Sequence, residues 1–544
     1  MKNFFGDDPT MATKNIQADA IDKVQVFDKK SDQAAFTGID DGTKSKTLNL
    51  TLKEDKKKGY FGKLELGSDL KNRWNNSLMA NSFKSKRKLS LYGIMSNTGK
   101  TGLDWQESSK YGENNNLEYN EDGGFFFSDG GDEFDSYGAF RGQGLPTSWS
   151  AGTQYSKKFD ADKQNFNGSY KYNKLNTVGG GTTVSQSILP GNVFFNKESS
   201  TAFSTKQRHT VRGTYEWQID SFTSVKIRAN GFTGNQRNFT GYTSESSDNF
   251  GNNVHSIRNT SAEGDNSSLN SNFLLRHRFK KIGRTVSLAF DQQSKSTSTT
   301  GFLYSINQFY DKTNLTNIDT VDQKKINEVL NSGYYTRLAY TEPIVKNVFL
   351  ELSYGIRISN SESKKLSYDR NLTGKYENMN DSFSNNYRYH VLTNSGGMIW
   401  RYNSKKTTAS AGGDIAQADF TQTDVLHKSD VKYNYTNLFP KVNFMYKFNA
   451  NSRININYNG NTRQPTIEQI QPIRDNTNPL NVAIGNPDLK QEFRHQINFN
   501  YNSYKVLKQR GFYTYASFGT TSNSISTNET TVINGAGFGK SPPE

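Results

Sequence analysis

Six histidines are the residues best placed to bind a metal or move a proton near neutral pH: His209, His255, His277, His390, His427 and His495. Metal sites gather their ligands at short, recurring separations, and these six are scattered with no such spacing. They are predicted to be ordinary strand or surface residues. Cysteine is absent, which removes thiolate ligands and disulfides together. Asp129, Asp132, Glu133 and Asp135 offer oxygen ligands of the kind Ca²⁺ takes, but without the ordered spacing of an EF-hand loop. A solvated acidic loop is the expectation there. Gly179-Gly180-Gly181 is followed by neither a helix nor a Lys-Ser/Thr pair, so it does not predict a phosphate cradle. Phe125, Phe126 and Phe127 form an apolar cluster in a long polar stretch, expected to pack within its own loop. No nucleophile and base can be paired from sequence. The chain is therefore expected to be no enzyme, with no catalytic residue, no metal and no cofactor. Its ligand-binding residues are left unassigned.

The elements that would carry these residues are written in period two. In a β-strand successive side chains point to opposite faces. Val442, Phe444, Tyr446 and Phe448 alternate with Lys441, Asn443, Met445 and Lys447. Ile454, Ile456 and Tyr458 alternate with Asn455, Asn457 and Asn459. Ile497, Phe499 and Tyr501 alternate with Gln496, Asn498, Asn500 and Asn502. One face is apolar and rich in aromatic rings, the other wet. The same pattern returns at Tyr60–Leu66, Phe166–Tyr172, Val211–Trp217, Val286–Phe290 and, longest, Val348–Ile358. Trp74–Phe83 and Thr407–Thr423 alternate only loosely.

A soluble sandwich also alternates, and the connections decide between the two. Short turns are predicted near Lys84–Lys88, Asp160–Gln164, Asp220–Phe222, Lys280–Arg284, Glu342–Asn347, Asn403–Thr407, Asn449–Ser452 and Lys505–Gln509. Between them lie longer Gly/Asn/Ser-rich stretches: Thr98–Leu145, Gly179–Thr205, Gly241–Ser268, Gly301–Asn331, Ser363–Asn386 and Pro465–Phe493. Short and long connections alternate without a break. Outer-membrane barrels have short periplasmic turns and long extracellular loops, whereas a sandwich has no reason to keep this order. The prediction is an all-β fold, an antiparallel transmembrane β-barrel of about 17 strands, each long enough to cross a bilayer in ~9–11 residues.

Composition agrees. Over 544 residues the chain is 33% hydrophobic with a mean hydropathy of -0.82, and no apolar run suits a transmembrane helix. That hydropathy fits a barrel, where only every second residue meets lipid. The net charge of +15 raises nucleic acid as a partner, but the basic residues do not gather into a recognised binding module.

Residues 1–58 differ in character, being poor in Tyr with two small predicted strands. Ile21, Val24 and Val26 mark one, and Leu48, Leu50 and Leu52 the other. Lys53-Glu54-Asp55-Lys56-Lys57-Lys58 reads as a solvated linker. Thr462-Arg463-Gln464-Pro465-Thr466-Ile467, Asn476-Thr477-Asn478-Pro479-Leu480 and Gly485-Asn486-Pro487-Asp488-Leu489-Lys490 resemble barrel motifs of TonB-dependent receptors. These are the plugged outer-membrane transporters of Gram-negative bacteria. Ile21–Val26 and Leu48–Lys53 resemble the last part of such a receptor's plug, although Asp28-Lys29-Lys30-Ser31 stands where a Gly-Pro turn is usual.

The resemblance implies the end of a plug at 1–58 and a barrel at 59–544. It implies residence in the outer membrane among its lipids, and uptake of a small-molecule, glycan or peptide ligand driven by the TonB energy-transducing complex. A passive porin or a surface adhesin is the alternative. Such receptors have 22 strands. An apolar signal segment, a TonB box and an early plug are not seen, and Pro542-Pro543 cannot serve a closing strand. The sequence is accordingly expected to be a fragment whose sheet stays open.

Overall fold

In a computed structural model, the described residues are 21–30, 44–53, 58–84, 86–103, 117–119, 125–127, 139–140, 142, 144–189, 191–449, 451–470, 474–475, 483–486, 488–505, 510–527, 530–534 and 537–541. Among them, seventeen strands follow one another in a single antiparallel ladder. Four short ones come first: Lys58–Ser68, Trp74–Lys84, Arg87–Ser96 and Leu145–Phe159. Six long ones follow: Gln164–Leu189, Asn192–Gln218, Thr223–Asp248, Asn252–Arg278, Thr285–Asp311 and Asn314–Val345. The last seven are Val348–Arg370, Asn385–Asn403, Thr407–Asp424, Ser429–Asn449, Ser452–Arg463, Glu492–Lys505 and Arg510–Ser522. The loosely alternating Trp74–Phe83 and Thr407–Thr423 are strands after all.

The predicted faces hold. On Val348–Arg370 the outward residues Leu352, Tyr354 and Ile356 are exposed, while Glu351, just before Leu352, is buried on the inner face. Their cross-strand neighbours continue the pattern: Tyr340, Leu338 and Thr336 on one side, Met398, Gly396 and Asn394 on the other. Exposed apolar patches this wide would drive aggregation in water. A hydrocarbon environment removes that cost, so this is the lipid face. Phe222 and Phe448 mark one border of the apolar band; Trp74 and Trp149, with ring centroids 6.3 Å apart, stand near the other.

The predicted short turns are turns, except that near Lys505–Gln509, which lies outside the described residues, and Asp220 shows how one is made. Its Oδ1 accepts from the backbone N–H of Phe222 at 2.6 Å and of Thr223 at 2.8 Å. These two donors hold its carboxyl below the ordinary carboxylate range.

The long connections correct the sequence reading. Gly179–Thr205, Gly241–Ser268 and Gly301–Asn331 are not loops but the paired outer halves of hairpins, with strands of 26 to 32 residues. Each hairpin closes in a tight turn. In one, Asp248 Oδ1 accepts from the N–H of Phe250 and Asn252, and Gly251 supplies a φ of +93°. Beyond the bilayer both faces are wet, so a ladder needs no apolar face to continue. Polar cross-strand pairs support it instead: Arg237 clasps Glu263 (Nη2–Oε1 2.7 Å, Nε–Oε2 3.2 Å) and Lys364 meets Glu328 at 3.1 Å. Gly, Asn and Ser favour loops, and here they are strand residues held by pairing.

Ser363–Asn386 is in part strand too, with Tyr376–Met379 and a 3₁₀ turn at Asp381–Phe383 beyond Arg370. Of Pro465–Phe493, the described part is irregular apart from a short helix Ile467–Ile470 and a two-residue pairing of Arg474–Asp475 with Ala483–Ile484. Most of Thr98–Leu145 lies outside the described residues. About 15 residues per long strand exceed the ~9–11 that cross a bilayer, so each hairpin reaches on the order of 50 Å along its own strands outside it. An impermeant maleimide is expected to label Lys312→Cys, at such a tip, in whole cells. Lys405→Cys, in a short turn, should react only after lysis. Strong labelling at 405 in intact cells would reverse this orientation.

One pairing is lacking. The strand order is that of a barrel, with Lys58–Ser68 and Arg510–Ser522 as neighbours. Yet every neighbouring pair has a register except this one, and the sheet is not closed there. Exposure agrees: Tyr60 is 90% exposed and Phe518 66%, against 38% for the outward Phe444 in mid-sheet. The two expected edge strands are the edges found. Near the N-terminus, Ile21–Lys30 pairs with Lys44–Leu52, with Val24 opposite Leu50 and Val26 opposite Leu48. The two small strands predicted there pair with each other.

Candidate functional site

The inner wall of the sheet is where the chain concentrates buried polar chemistry. Glu351, on the fourth residue pair above its turn, lies between the guanidinium groups of the two flanking strands. Arg401 donates to Glu351 Oε2 from Nε at 3.0 Å and Nη2 at 2.8 Å; Arg337 Nη2 reaches Oε1 at 3.3 Å and Ser353 Oγ at 3.3 Å. Glu351 is 5% exposed and Arg337 9%. Charges this dry survive only when paired and hydrogen-bonded. Further round, Lys441 meets Asp414 at 3.1 Å and Lys226 meets Glu216 at 2.8 Å. Gly397 stands opposite Asp414, and a Cβ there would collide with the Asp414 carboxylate and the Ser353 hydroxyl. Only glycine lets the carboxylate lie flat on the wall.

Beside these, the wall is lined with amides. Asn443 donates to Asn457, and Asn498 accepts from Tyr515 at 3.2 Å and from Ser517 at 2.8 Å. The wet faces of the three strands first singled out in the sequence thus form one polar strip.

Above the bilayer the inner wall turns aromatic. Phe420, 2% exposed, stacks on Tyr433 (5.1 Å, 14°) and meets Tyr435 edge-on at 5.5 Å, with Tyr389 at 5.8 Å. The hydroxyls of Tyr389 and Tyr433 are 3.0 Å apart. Tyr387 lies nearby against Asp424, and burial first, then that carboxylate, pushes its phenol up to about 12. Asp424 also takes His427 Nδ1 at 2.7 Å and the backbone N–H of Leu426 and His427. Sequence reasoning missed this cluster. Its signal was present, because Tyr433, Tyr435, Asn437 and Phe439 keep strict alternation in phase with Lys441. The rings stand on the face that the alternation marks as wet.

The segment after Arg463 is tied down at its base. Gln464 Nε2 donates to Gln491 Oε1 at 2.8 Å, and Gln491 Nε2 donates to Asn437 Oδ1 at 2.7 Å. Asn486 N donates to Gln469 O at 2.7 Å, which folds the Gly485–Lys490 motif onto the short helix. Asn476–Leu480 lies outside the described residues.

The histidines are not brought together. His209 contacts Tyr170 at 2.8 Å, His277 Thr223 at 3.0 Å, His390 Asn360 at 2.6 Å and His495 Tyr458 at 3.0 Å. His255 packs on Tyr310, and His427 holds Asp424. Gly179, Gly180 and Gly181 lie in a strand opposite Ala202, Thr201 and Ser200. Asp129, Asp132, Glu133 and Asp135 lie outside the described residues. Phe125–Phe127 pairs by its backbone with Leu117–Tyr119.

Comparison with known proteins adds to this. Residues 277–538 match the model of the outer membrane protein beta-barrel family. No curated protein matches the chain by sequence. Among solved structures it is similar to FpvA of P. aeruginosa bound to a heterologous pyoverdine. The identity is 10%, over 92% of this chain and 69% of that one, with a TM-score of 0.31. It is also similar to the FrpB iron transporter of Neisseria meningitidis, at 8% identity over 89% and 80% of the two chains, with a TM-score of 0.24. The apolar outer face, the polar inner wall, the short turns at one end and the family match over 277–538 agree: this is an antiparallel β-barrel sheet of an outer membrane.

Proposed function

We propose that the chain supplies the barrel and the end of the plug of a TonB-dependent receptor, which imports a nutrient under the drive of the periplasmic energy-transducing complex. The observation that carries the reading is the width of the sheet: seventeen paired strands still leave an open seam. Barrels of 16–18 strands close around an aqueous channel, and those of 22 hold a plug in the lumen. A sheet that has not closed at seventeen belongs with the larger class. Unpaired edges in hydrocarbon cost several kcal/mol per backbone group, so the seam takes further strands. The motifs around Thr462–Lys490 and the paired strands Ile21–Lys30 and Lys44–Leu52 support the same reading. Long outer hairpins with an aromatic inner face suit capture of a ligand before transport.

The test uses the complete receptor in planar bilayers. Deleting the segment that ends at Lys53 should convert a closed protein into one of large, steady conductance. Heat-dependent gel mobility would check that the barrel still folds. A folded deletion protein with unchanged conductance would count against the plug and favour a passive porin or an adhesin.

A further inference from the structure

We propose that the upper inner wall across strands Asn314–Val345, Val348–Arg370 and Asn385–Asn403 is a binding site for a neutral saccharide, held by Asn327, Ser363, Lys365 and Asn385. The inference names a class of cargo, and it rests on the transport reading for its purpose.

Two cross-strand rows, in phase with the inward Glu351, bring these residues together. Asn327 stands opposite Lys365, and Lys365 opposite Asn385. One row nearer the membrane, Val329, Ser363 and Tyr387 stand in line. Ser363 is 0% exposed and Asn385 3%. Yet Ser363 Oγ, Asn385 Oδ1, Asn385 Nδ2 and Asn327 Oδ1 are all buried without a hydrogen-bond partner. Elsewhere among the described residues such atoms stand singly or in pairs, as with Ser224 Oγ and Arg276 Nε on facing strands. Here four are gathered.

The polar groups above and below them are engaged. Above, Ser367 N donates to Ser384 Oγ at 2.9 Å, and Ser384 Oγ donates back to Ser367 O at 3.3 Å. Gln323 Nε2 donates to Asp369 Oδ1 at 2.7 Å, and Asn380 Nδ2 to Asp369 Oδ2 at 2.8 Å. Below, Tyr387 gives its hydroxyl to Asp424. The unserved atoms thus sit inside a frame whose own hydrogen bonds are made. On the next inward position down, Tyr389 opens the aromatic group with Phe420 and Tyr433.

A buried polar group without a partner is costly, and a native fold keeps few of them. The partner fitting these four must both donate and accept: the two amide oxygens need donors, and Asn385 Nδ2 needs an acceptor. A carboxylate or phosphate only accepts, and an ammonium only donates. A hydroxyl does both. Asn327 and Asn385 stand two strand spacings apart, about 9–10 Å, more than one hydroxyl or one water bridges. Several hydroxyls on one rigid ring span it, with the Lys365 ammonium as a further donor between the amides. A site this dry takes a small protruding group, which favours a hydroxyl edge over a peptide main chain. The rings beside it suit the C–H faces of a sugar. Ser363 and Lys365 lie about 15 residues up from their short turn, beyond the ~9–11 that cross a bilayer. The site therefore stands above the membrane, on the mouth side.

The experiment takes the complete receptor, purified in detergent and fluorescently labelled, onto an array of neutral and acidic oligosaccharides with short peptides printed beside them. Saturable binding to neutral saccharides is expected, and calorimetry with the tightest of them gives the affinity. Asn385→Leu should weaken that affinity by about tenfold or more, as loss of hydrogen bonds in a buried site implies. Without ligand the same variant should unfold no earlier than the wild type, because an apolar side chain of similar size replaces an amide left unserved. Ser363→Ala should also weaken binding, and the outward Lys364→Gln should leave it unchanged. Heat-dependent gel mobility confirms folding of each variant. Binding to no saccharide, or to peptides or acidic glycans alone, would overturn the proposal. Equal affinity in Asn385→Leu, or earlier unfolding of that variant without ligand, would assign these atoms to trapped water and overturn it too. The plug is tested separately by conductance, so either reading can fail while the other stands.

Discussion

Replacing Glu351 by alanine is expected to destabilise the barrel by about 3–5 kcal/mol, the cost of leaving a buried charge without its partner. Two arginines lose this carboxylate at once, and they differ. Arg401 has a quarter of its side chain exposed and can turn toward the lumen; Arg337 has a tenth and cannot. Most of the cost therefore falls on Arg337, and Glu351→Ala with Arg337→Met should recover much of it. Replacing all three residues by methionine should come out near neutral, because the attraction within a buried network only roughly offsets its desolvation. Guanidinium unfolding midpoints in micelles would measure this series. An unchanged midpoint for Glu351→Ala alone would mean that water reaches and screens the network, and that the inner wall is wetter than its burial indicates.

The sheet itself was legible in the sequence because lipid imposes a strict rule. A one-residue slip would carry every outward side chain to the inner face, so Leu352, Tyr354 and Ile356 fix the register of their strand unaided. The rule stops where the bilayer stops. Above it, Thr182, Ser199 and Glu263 pair across strands without any apolar face, and composition alone made those stretches look like loops. The inner wall was legible as wet, but its contents were not. Nothing in the spacing of Arg337, Glu351 and Arg401, fourteen and fifty residues apart, announces that they meet. Their meeting follows from register, which needs both turns placed first. The tyrosines beside Phe420 were hidden differently: their alternation was plain, but aromatic rings had been assigned to the lipid side. The open seam was legible because strand counting is robust even when strand ends are not.

The complementary experiment puts a charge on the other face. Leu352→Arg, near the middle of the apolar band, should cost about 2–4 kcal/mol, the depth-dependent cost of arginine among acyl chains. The same substitution at Asn360, outward on the same strand but eight residues farther up, should cost about 0–1 kcal/mol, since it lies at the outer interface or beyond. Leu352 stands opposite Tyr340 and Met398, and the Tyr340 hydroxyl is turned toward Glu342 at the end of the strand, so a guanidinium at 352 must travel along the strand to reach a strong acceptor or water. Loss of packing cannot mimic the effect, because Leu352→Ala removes the same side chain without the charge and sets the baseline. The reading requires the arginine to be worse than the alanine at 352 and no worse at 360. If arginine and alanine proved equal at 352, this face would be meeting water rather than lipid, and the assignment of inside and outside along the whole sheet would have to be exchanged.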